Sequence, residues 1–142
     1  MKLDKDSIKK IIPHREPFLF VDSINIIEKG VEGVGCVVFK KESYFFEGHF
    51  PNNPIVPGVI IVEALAQTAG VVSGLEFEKE NRSVLFMSIN SVKFRKPLLP
   101  EETLYLNVKK LNQVKNAYKF SGIAKKTDQT VITESTFTAM II

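Results

Sequence analysis

One histidine and one glutamate are the side chains of this sequence best suited to moving protons. His49 lies just before a proline-rich segment, and Glu63 is the single ionisable residue of the apolar run 58–74. An imidazole can accept a proton near neutral pH, and a carboxyl group can donate one, so the two could act as general base and general acid. The residue types therefore predict proton-transfer chemistry.

Glu63 belongs to a polar stripe within an otherwise apolar segment. Glu63, Gln67, Gly70 and Gly74 are spaced i, i+4, i+7 and i+11, which places them on one face of a helix. Such a face can be a close packing contact that glycine permits, with the glutamate paired to a basic residue. Burying an unpaired carboxylate is costly, however, and no Lys or Arg lies between 58 and 74. This absence favours a functional role for Glu63.

Three prolines at every third position precede this helix. Pro51, Pro54 and Pro57 each restrict φ, so the segment should hold His49 in a defined place. A surface polyproline ligand for an SH3-type partner is the alternative, but Ile55 and Val56 between the prolines argue against it. The segment 49–58 could span roughly 30 Å when extended or fold back, so a meeting of His49 and Glu63 within one chain stays open.

The start of the helix at Gly58 offers a third chemical group. The first backbone N–H groups of a helix lack intrahelical partners and carry the positive end of its dipole. An N–H there could polarise a carbonyl oxygen, as an oxyanion hole does. A base, an acid and such an amide suit removal of a proton next to a carbonyl with loss or gain of a β-hydroxyl. Hydrolysis fits less well, because no Ser or Cys nucleophile stands with them and Cys36 lies in a strand-like run.

These groups must be positioned by one helix and a surrounding sheet. Val, Ile, Leu and Ala occupy every direction around the helix 58–74, and a helix that is apolar all round must be enclosed. Asp4 and Asp6 precede a short helix that Pro13 ends, and the remaining elements are predicted as strands. The predicted strands are Phe18–Ile27, Val31–Phe39, Val84–Phe94, Thr103–Leu111, Tyr118–Lys125 and Val131–Ile141.

Length and composition limit the class of protein. A chain of 142 residues with 44% hydrophobic content predicts one domain over 1–142, and a net charge of +3 gives no nucleic-acid footprint. A single cysteine and two histidines provide no metal-ligand cluster, so no metal is expected. The N-terminus lacks the apolar stretch of a signal peptide, which predicts a cytoplasmic protein. Glu63 and the flanking strands argue against a membrane-spanning helix.

Several motifs in order resemble one enzyme family. They are Pro13-His14-Arg15, Pro17-Phe18-Leu19-Phe20-Val21-Asp22, Gly48-His49-Phe50-Pro51, Pro57-Gly58-Val59, Glu63-Ala64-Leu65-Ala66-Gln67 and Val92-Lys93-Phe94-Arg95-Lys96-Pro97. Together they resemble the (3R)-hydroxyacyl-acyl-carrier-protein dehydratases of bacterial type II fatty acid synthesis. The resemblance implies an α+β hot-dog fold, a curled antiparallel β-sheet wrapped around a long central helix. It also implies a homodimer with shared active sites, assembled as a trimer of dimers.

The same resemblance implies roles for individual residues. His49 of one subunit would take the α-proton of a 3-hydroxyacyl thioester, Glu63 of the other would protonate or orient the departing hydroxyl, and the Gly58 amide would hold the thioester carbonyl. The expected product is a trans-2-enoyl thioester and water, with no cofactor. The partner would be an acyl carrier protein that bears a phosphopantetheine-linked acyl chain.

Two further sets of residues are candidates for the acyl chain and for the carrier. The substrate tunnel is predicted to involve Phe50, Gly70, Gly74, Phe86 and Met87. The carrier-docking residues are predicted to be Lys93, Arg95 and Lys96, since the carrier protein is acidic. Plain core packing and ordinary solvated charges are the alternatives for these two sets.

The sequence departs from the family pattern at Glu16, Asn52-Asn53 and Glu101-Glu102, which bear on chain length and carrier docking rather than on the reaction. Three rival functions share the fold. An isomerising dehydratase usually has Asp in place of Glu63. A thioesterase-type hot-dog protein lacks the His-Phe-Pro and Glu combination, and a non-catalytic protein that binds acyl thioesters needs neither His49 nor Glu63.

Overall fold

The structure, a computed structural model, describes residues 1–77 and 82–142 of the chain. These residues form two α-helices, one short 3₁₀ helix and seven strands. In chain order they are β1 (Lys2–Leu3), α1 (Lys5–Ile11), β2 (Ser23–Glu28), β3 (Glu32–Val38), the 3₁₀ helix (Tyr44–Glu47), α2 (Gly58–Gly74), β4 (Val84–Phe94), β5 (Thr103–Val114), β6 (Ala117–Lys126) and β7 (Val131–Ile141).

All seven strands form one antiparallel sheet that curls around α2. Their order across the sheet is β1-β2-β3-β5-β6-β7-β4, so β4 is an edge strand although it lies in the middle of the chain. Side chains of β5 alternate between the two faces of the sheet. Leu104, Leu106 and Val108 are buried, whereas Tyr105 and Lys109 are exposed. The expected α+β hot-dog architecture is confirmed.

Three glycines on two strands let the long helix lie close to the sheet. A Cβ atom at Gly33 would lie 2.7 Å from Cγ2 of Val72, and one at Gly35 would lie 2.7 Å from Oγ1 of Thr68. A Cβ atom at Gly122 would lie 3.1 Å from a methyl group of Leu65. Any larger side chain at these positions would push α2 away from β3 and β6. The glycines therefore determine how closely α2, which contains the candidate functional residues, approaches the sheet.

The short N-terminal helix has the start that the sequence predicted. Asp4 is its N-cap and accepts a hydrogen bond of 2.9 Å from the backbone N–H of Ser7. This hydrogen bond lowers the pKa of Asp4 below its ordinary value of 3.8. Ile8 and Ile12 are fully buried, and α1 contacts β1, β2 and α2.

The first predicted strand begins later than expected. The apolar run suggested Phe18–Ile27, but β2 starts only at Ser23. The carbonyl of Phe18 and the N–H of Phe20 form hydrogen bonds with the side chain of Gln67 instead of with a neighbouring strand. The β2–β3 hairpin itself is confirmed, and Gly30 occupies its turn with a φ of 78° that favours glycine.

Two surfaces are more open than a fully wrapped helix would require. Val59 in the first turn of α2 is 71% exposed, whereas the residues from Ala64 to Ser73 are buried. Edge strand β4 is exposed from Leu85 to Ser91, on both of its faces. The expectation of an enclosed helix is therefore wrong at its first turn. No helix in the described part of the chain is long and apolar enough to cross a membrane.

Candidate functional site

The proline-rich segment folds back into a closed loop instead of extending. The N–H of Phe50 donates to the carbonyl of Asn53 at 3.2 Å, and the N–H of Asn53 donates to the carbonyl of Phe50 at 3.0 Å. The N–H of Ile55 then donates to the carbonyl of His49 at 3.0 Å, which closes the loop at its base. The N–H of Val56 donates to the carbonyl of the buried Leu98 and fastens the loop to the core. His49 is thus held through its own carbonyl and through the loop that follows it.

The imidazole of His49 is held in one tautomer. Its Nδ1 lies 2.9 Å from the carbonyl oxygen of Ile55. A carbonyl can only accept a hydrogen bond, so Nδ1 must carry the proton, and Nε2 keeps a lone pair. The ring also stacks on Phe50, with centroids 4.1 Å apart and an angle of 22° between the planes. His49 therefore has the form that a general base needs.

A cavity of about 510 Å³ lies beside this imidazole, and we call it the His49 cavity. The loop, the first turn of α2, and the segment that follows β4 form its walls. Its lining residues are His49, Ile55, Val56, Pro57, Gly58, Val59, Ile61, Phe94, Arg95, Lys96, Pro97, Leu98 and Thr133. Most of these are apolar, so an acyl group can be accommodated next to the base.

The start of α2 forms part of the wall of this cavity. Pro57 is the N-cap residue and provides no side-chain cap, so the helix begins without a side chain bound to its first N–H groups. The positive end of the helix dipole is therefore directed at the cavity. A Cβ atom at Gly58 would lie 2.5 Å from Cε1 of Phe94, so a larger residue there requires the ring or the helix start to shift. His49 and Gly58, both predicted from the sequence, lie in the same site.

Glu63 lies one and a half turns further along α2 and has two neighbours. The side-chain amide of Gln67 donates a hydrogen bond of 2.9 Å to Oε2 of Glu63. The Nε2 atom of His14 lies 3.5 Å from the same oxygen, and the side chains of His14 and Glu63 are only 15% and 19% exposed. The carboxyl group therefore has neighbours that can pair with it, whereas the sequence suggested that it would have none. Its partners are an amide four residues away and a histidine from the segment after α1.

Gln67 itself is completely buried and fully bonded. Its Oε1 accepts a hydrogen bond of 2.8 Å from the N–H of Phe20, and its Nε2 donates to the carbonyl of Phe18 at 3.0 Å. The amide therefore joins the segment 18–20 to α2 and directs its second N–H at Glu63. Sequence reasoning placed Gln67 only on the polar face and gave His14 no role. The i, i+4 spacing of Glu63 and Gln67 was the available signal, whereas no spacing identified His14.

The predicted site residues fall into two groups within the described chain. His49, Gly58, Arg95 and Lys96 line the His49 cavity, whereas Glu63 is not among its lining residues. Arg95 pairs with Glu134 on β7, and Lys93 is opposite the same residue in the β4–β7 register. The cationic residues 95 and 96 thus lie at the cavity, while Lys93 lies on the strand that leads to it.

Of the five tunnel candidates, three are exposed on the surface and two lie in close packing contacts of α2. Phe50, Phe86 and Met87 are exposed, at 48%, 40% and 53%. A Cβ atom at Gly70 would lie 2.8 Å from Cγ2 of Val84, and one at Gly74 would lie 2.5 Å from Cγ2 of Ile11. These two glycines serve close packing in the structure, which was the alternative interpretation of the polar face. None of the five lines the His49 cavity.

Other reactive groups lie away from this centre. Burial raises the pKa of the Cys36 thiol above its ordinary value of 9.0, which disfavours a thiolate nucleophile there. Across residues 1–77 and 82–142, no three side chains of His, Cys, Asp or Glu are grouped so that they could hold a metal ion. The described site therefore consists of an imidazole, a helix start and a carboxyl group.

Comparisons of the sequence with known proteins point to one enzyme family. The family model for a FabA-like domain matches residues 12–135. A protein of Rhodospirillum rubrum named 3-hydroxyacyl-[acyl-carrier-protein] dehydratase FabZ is 44% identical over 142 residues, which cover 99% of this chain and 88% of that protein. A protein of the same name from Granulibacter bethesdensis is 42% identical, with 99% of this chain and 83% of that protein covered.

Solved structures with much lower identity share the fold. A chain of the dehydratase heterocomplex ApeI:P from Xenorhabdus doucetiae superimposes with a TM-score of 0.76 at 17% identity, covering 95% of this chain and 90% of that one. The PaaI protein of E. coli superimposes with a TM-score of 0.60 at 14% identity, covering 82% of each chain. Given the matches in sequence and the geometry around His49, the chain belongs to the FabZ family of 3-hydroxyacyl-[acyl-carrier-protein] dehydratases, within the FabA-like group.

Proposed function

We propose that this chain removes water from (3R)-3-hydroxyacyl groups carried on acyl carrier protein and forms trans-2-enoyl thioesters. It would act as a hydro-lyase of fatty acid biosynthesis in the cytoplasm, as one domain over residues 1–142. The observation that carries the proposal is the state of His49. Its Nδ1 is bonded to the carbonyl of Ile55, so a basic Nε2 remains available beside an apolar cavity at the start of α2.

The proposed reaction assigns one task to each group. Nε2 of His49 takes the proton from C2 of the acyl chain, and the electron pair left behind forms the C2–C3 double bond. Negative charge that develops on the thioester oxygen is stabilised by the N–H of Gly58. The C3–O bond breaks, and the leaving hydroxyl takes a proton from Glu63 and departs as water. The proton on His49 then returns to the carboxylate, which restores the starting state.

We infer that the two catalytic side chains of one site come from two copies of the chain. Glu63 does not line the His49 cavity of its own subunit. The edge strand β4 presents Leu85, Phe86, Met87 and Ile89 at exposures of 40% to 53%, and a free apolar edge of this kind is normally covered. A second copy that pairs along β4 would extend the sheet. The proposed assembly is a homodimer with shared sites, joined further as a trimer of dimers.

The carrier and the acyl chain complete the proposal. Arg95 and Lys96 border the His49 cavity, where they would meet the acidic carrier protein, and Lys93 lies on the strand leading there. The phosphopantetheine arm would then reach His49 through the His49 cavity. Phe50, Gly70, Gly74, Phe86 and Met87 remain the candidates for the acyl tunnel, which would be completed in the dimer.

Hydration of a crotonyl thioester, the reverse reaction, tests the function. A dehydratase removes the ultraviolet absorbance of the conjugated enoyl thioester without releasing a thiol. Release of free thiol with no prior hydration would identify a thioesterase-type hot-dog protein instead. Binding of the thioester without either change would identify a non-catalytic acyl-binding protein, and both results would contradict the proposal.

A further inference from the structure

A second histidine lies beside the proposed acid and is unused by the mechanism above. The imidazole of His14 has its Nε2 3.5 Å from Oε2 of Glu63, and its Nδ1 is buried with no hydrogen-bond partner in the described part of the chain. The chain has two histidines, so the site region contains every imidazole of the protein. His14 therefore needs an explanation of its own.

The backbone around His14 is held firmly. The guanidinium group of Arg15 donates from one nitrogen to the carbonyls of Ile12 and His14, at 3.1 and 2.7 Å. Its other terminal nitrogen donates to the carbonyl of Lys9 at 3.0 Å, so Arg15 fastens the end of α1 to the residue that carries the imidazole. This arrangement directs the His14 ring towards α2.

The hydrogen bonds of Gln67 determine which oxygen of Glu63 is occupied. Its Oε1 must face the N–H of Phe20, because only an oxygen can accept there. Its Nε2 must then donate to the carbonyl of Phe18 and, with its second proton, to Oε2 of Glu63. Because Oε2 accepts this hydrogen bond, it is the less favourable oxygen for the acid proton. Oε1 is therefore the oxygen that carries the proton and faces the substrate hydroxyl.

His14 faces the same occupied oxygen. A proton on its Nε2 would lie within ion-pair distance of Oε2, whereas a proton on the buried Nδ1 would have no acceptor among residues 1–77 and 82–142. Because a buried unpaired N–H is costly, the Nε2–H tautomer is favoured. We propose that His14, together with Gln67, is a positioning residue that holds Oε2 of Glu63 and so presents Oε1 to the departing hydroxyl. The inference rests on the proposed dehydratase function.

Substitutions at His14 separate this role from simple packing. The amide nitrogen of Gln can reach the place of the imidazole Nε2, whereas that of Asn reaches only the place of Nδ1. His14→Gln should keep kcat within about threefold, and His14→Asn and His14→Leu should lower kcat about tenfold while KM stays within about twofold. Melting temperatures of all three variants would be measured alongside. Equal kcat in the three variants and the wild type would overturn the proposal.

A double-variant cycle provides a second readout. In a Glu63→Gln background the acid is absent, so adding His14→Asn should cause no further loss of the residual rate. An additional tenfold loss in that background would show that His14 acts independently of Glu63, which contradicts the inference. An inactive wild-type protein would overturn the dehydratase function and the inference with it. An active wild type with unaffected His14 variants would overturn the inference alone.

The tautomers of His14 and His49 can be measured in the wild-type protein. This test therefore does not depend on whether the variants fold. With ¹⁵N-labelled histidine, solid-state NMR at alkaline pH should give two rings of opposite type. His49 should carry its proton on Nδ1, and His14 should carry its proton on Nε2. A proton on Nδ1 of His14 would overturn the proposed contact with Glu63.

Discussion

The Nδ1 atom of His49 and the carbonyl oxygen of Ile55 lie 2.9 Å apart, across a loop that is closed by backbone hydrogen bonds. This contact gives the imidazole a single tautomer and leaves Nε2 basic towards the His49 cavity. The orientation depends on the loop rather than on a carboxylate partner. The predicted consequences for catalysis and stability can be tested one at a time.

Removal of either proton-transferring side chain should nearly abolish turnover. We expect His49→Ala and Glu63→Gln each to lower kcat for crotonyl thioester hydration by about 10²–10⁴-fold, because general acid–base groups contribute on this scale. The progress of the reaction is followed by ultraviolet absorbance. Unchanged melting temperatures would confirm that the loss is chemical, and undiminished kcat in either variant would contradict the mechanism.

A mixture of the two inactive variants should recover activity by exchange of subunits. A mixed dimer contains one site with both native residues and one site with neither. After complete exchange of an equal mixture, about a quarter of all sites are native, so about a quarter of the wild-type rate is expected. Activity is measured before and after a cycle of dissociation and reassembly. No recovery despite mixed dimers seen by native mass spectrometry would place both side chains of a site in one subunit.

The contact between Gly58 and Phe94 should be sensitive to a single methyl group. A Cβ atom at position 58 would lie 2.5 Å from Cε1 of Phe94, so Gly58→Ala must displace either the ring or the helix start. A displaced amide should lower kcat/KM about ten- to a hundredfold. Adding Phe94→Leu should restore part of the loss by making room. Full activity in Gly58→Ala would argue against a role of this helix start in binding the carbonyl.

Two glycines form a matched pair for testing how α2 packs on the sheet. A Cβ atom at Gly33 would lie 2.7 Å from Cγ2 of the buried Val72, whereas no atom of the described residues lies within 4 Å of a Cβ atom at Gly48. Gly33→Ala should therefore lower the free energy of unfolding by about 1–3 kcal/mol through overpacking. Gly48→Ala should cause no loss. The free energies of unfolding of both variants are measured by denaturant titration. Equal values for the two variants would contradict the packing assignment.

The ion pair between Glu102 and Lys126 should make stability depend on pH. Their charged atoms lie 2.7 Å apart, and the hydrogen bond from Lys126 lowers the pKa of Glu102 below its ordinary value of 4.5. A lowered folded-state pKa means that the stabilisation is present above pH 4.5 and is lost as the pH falls through the folded value.

A Glu102→Gln variant checks this dependence. Its unfolding free energy should be slightly lower than that of the wild type at pH 7, and the difference should shrink on acidification. The raised pKa of Lys126, caused by the same partner, predicts that the difference also shrinks above its ordinary value of 10.5. A difference that stayed constant from pH 3 to pH 7 would rule out the ion pair as its source.

Local patterns in the sequence were sufficient for most of the secondary structure. The bounds of α2, β4 and β7 agree with the predicted segments 58–74, 84–94 and 131–141. The apolar residues on every side of helix 58–74 also indicated that a sheet surrounds it. Such features depend on side chains a few positions apart, which is the information that periodicity carries. The late start of β2 was missed because the backbone of Phe18 and Phe20 bonds to a distant side chain.

The amino-acid sequence by itself determined the chemical types of the site and, through its motifs, the family. His49, Gly58 and Glu63 were identified as a base, a helix-start amide and an acid from residue type and spacing. Tertiary structure alone decided their state: the tautomer of His49, the partners of Glu63, and the glycine contacts that set the depth of α2. The contacts of Gln67 with Phe18 and Phe20 span 49 and 47 residues. No local spacing encodes such pairs, because they form only when the helix and the preceding segment pack together.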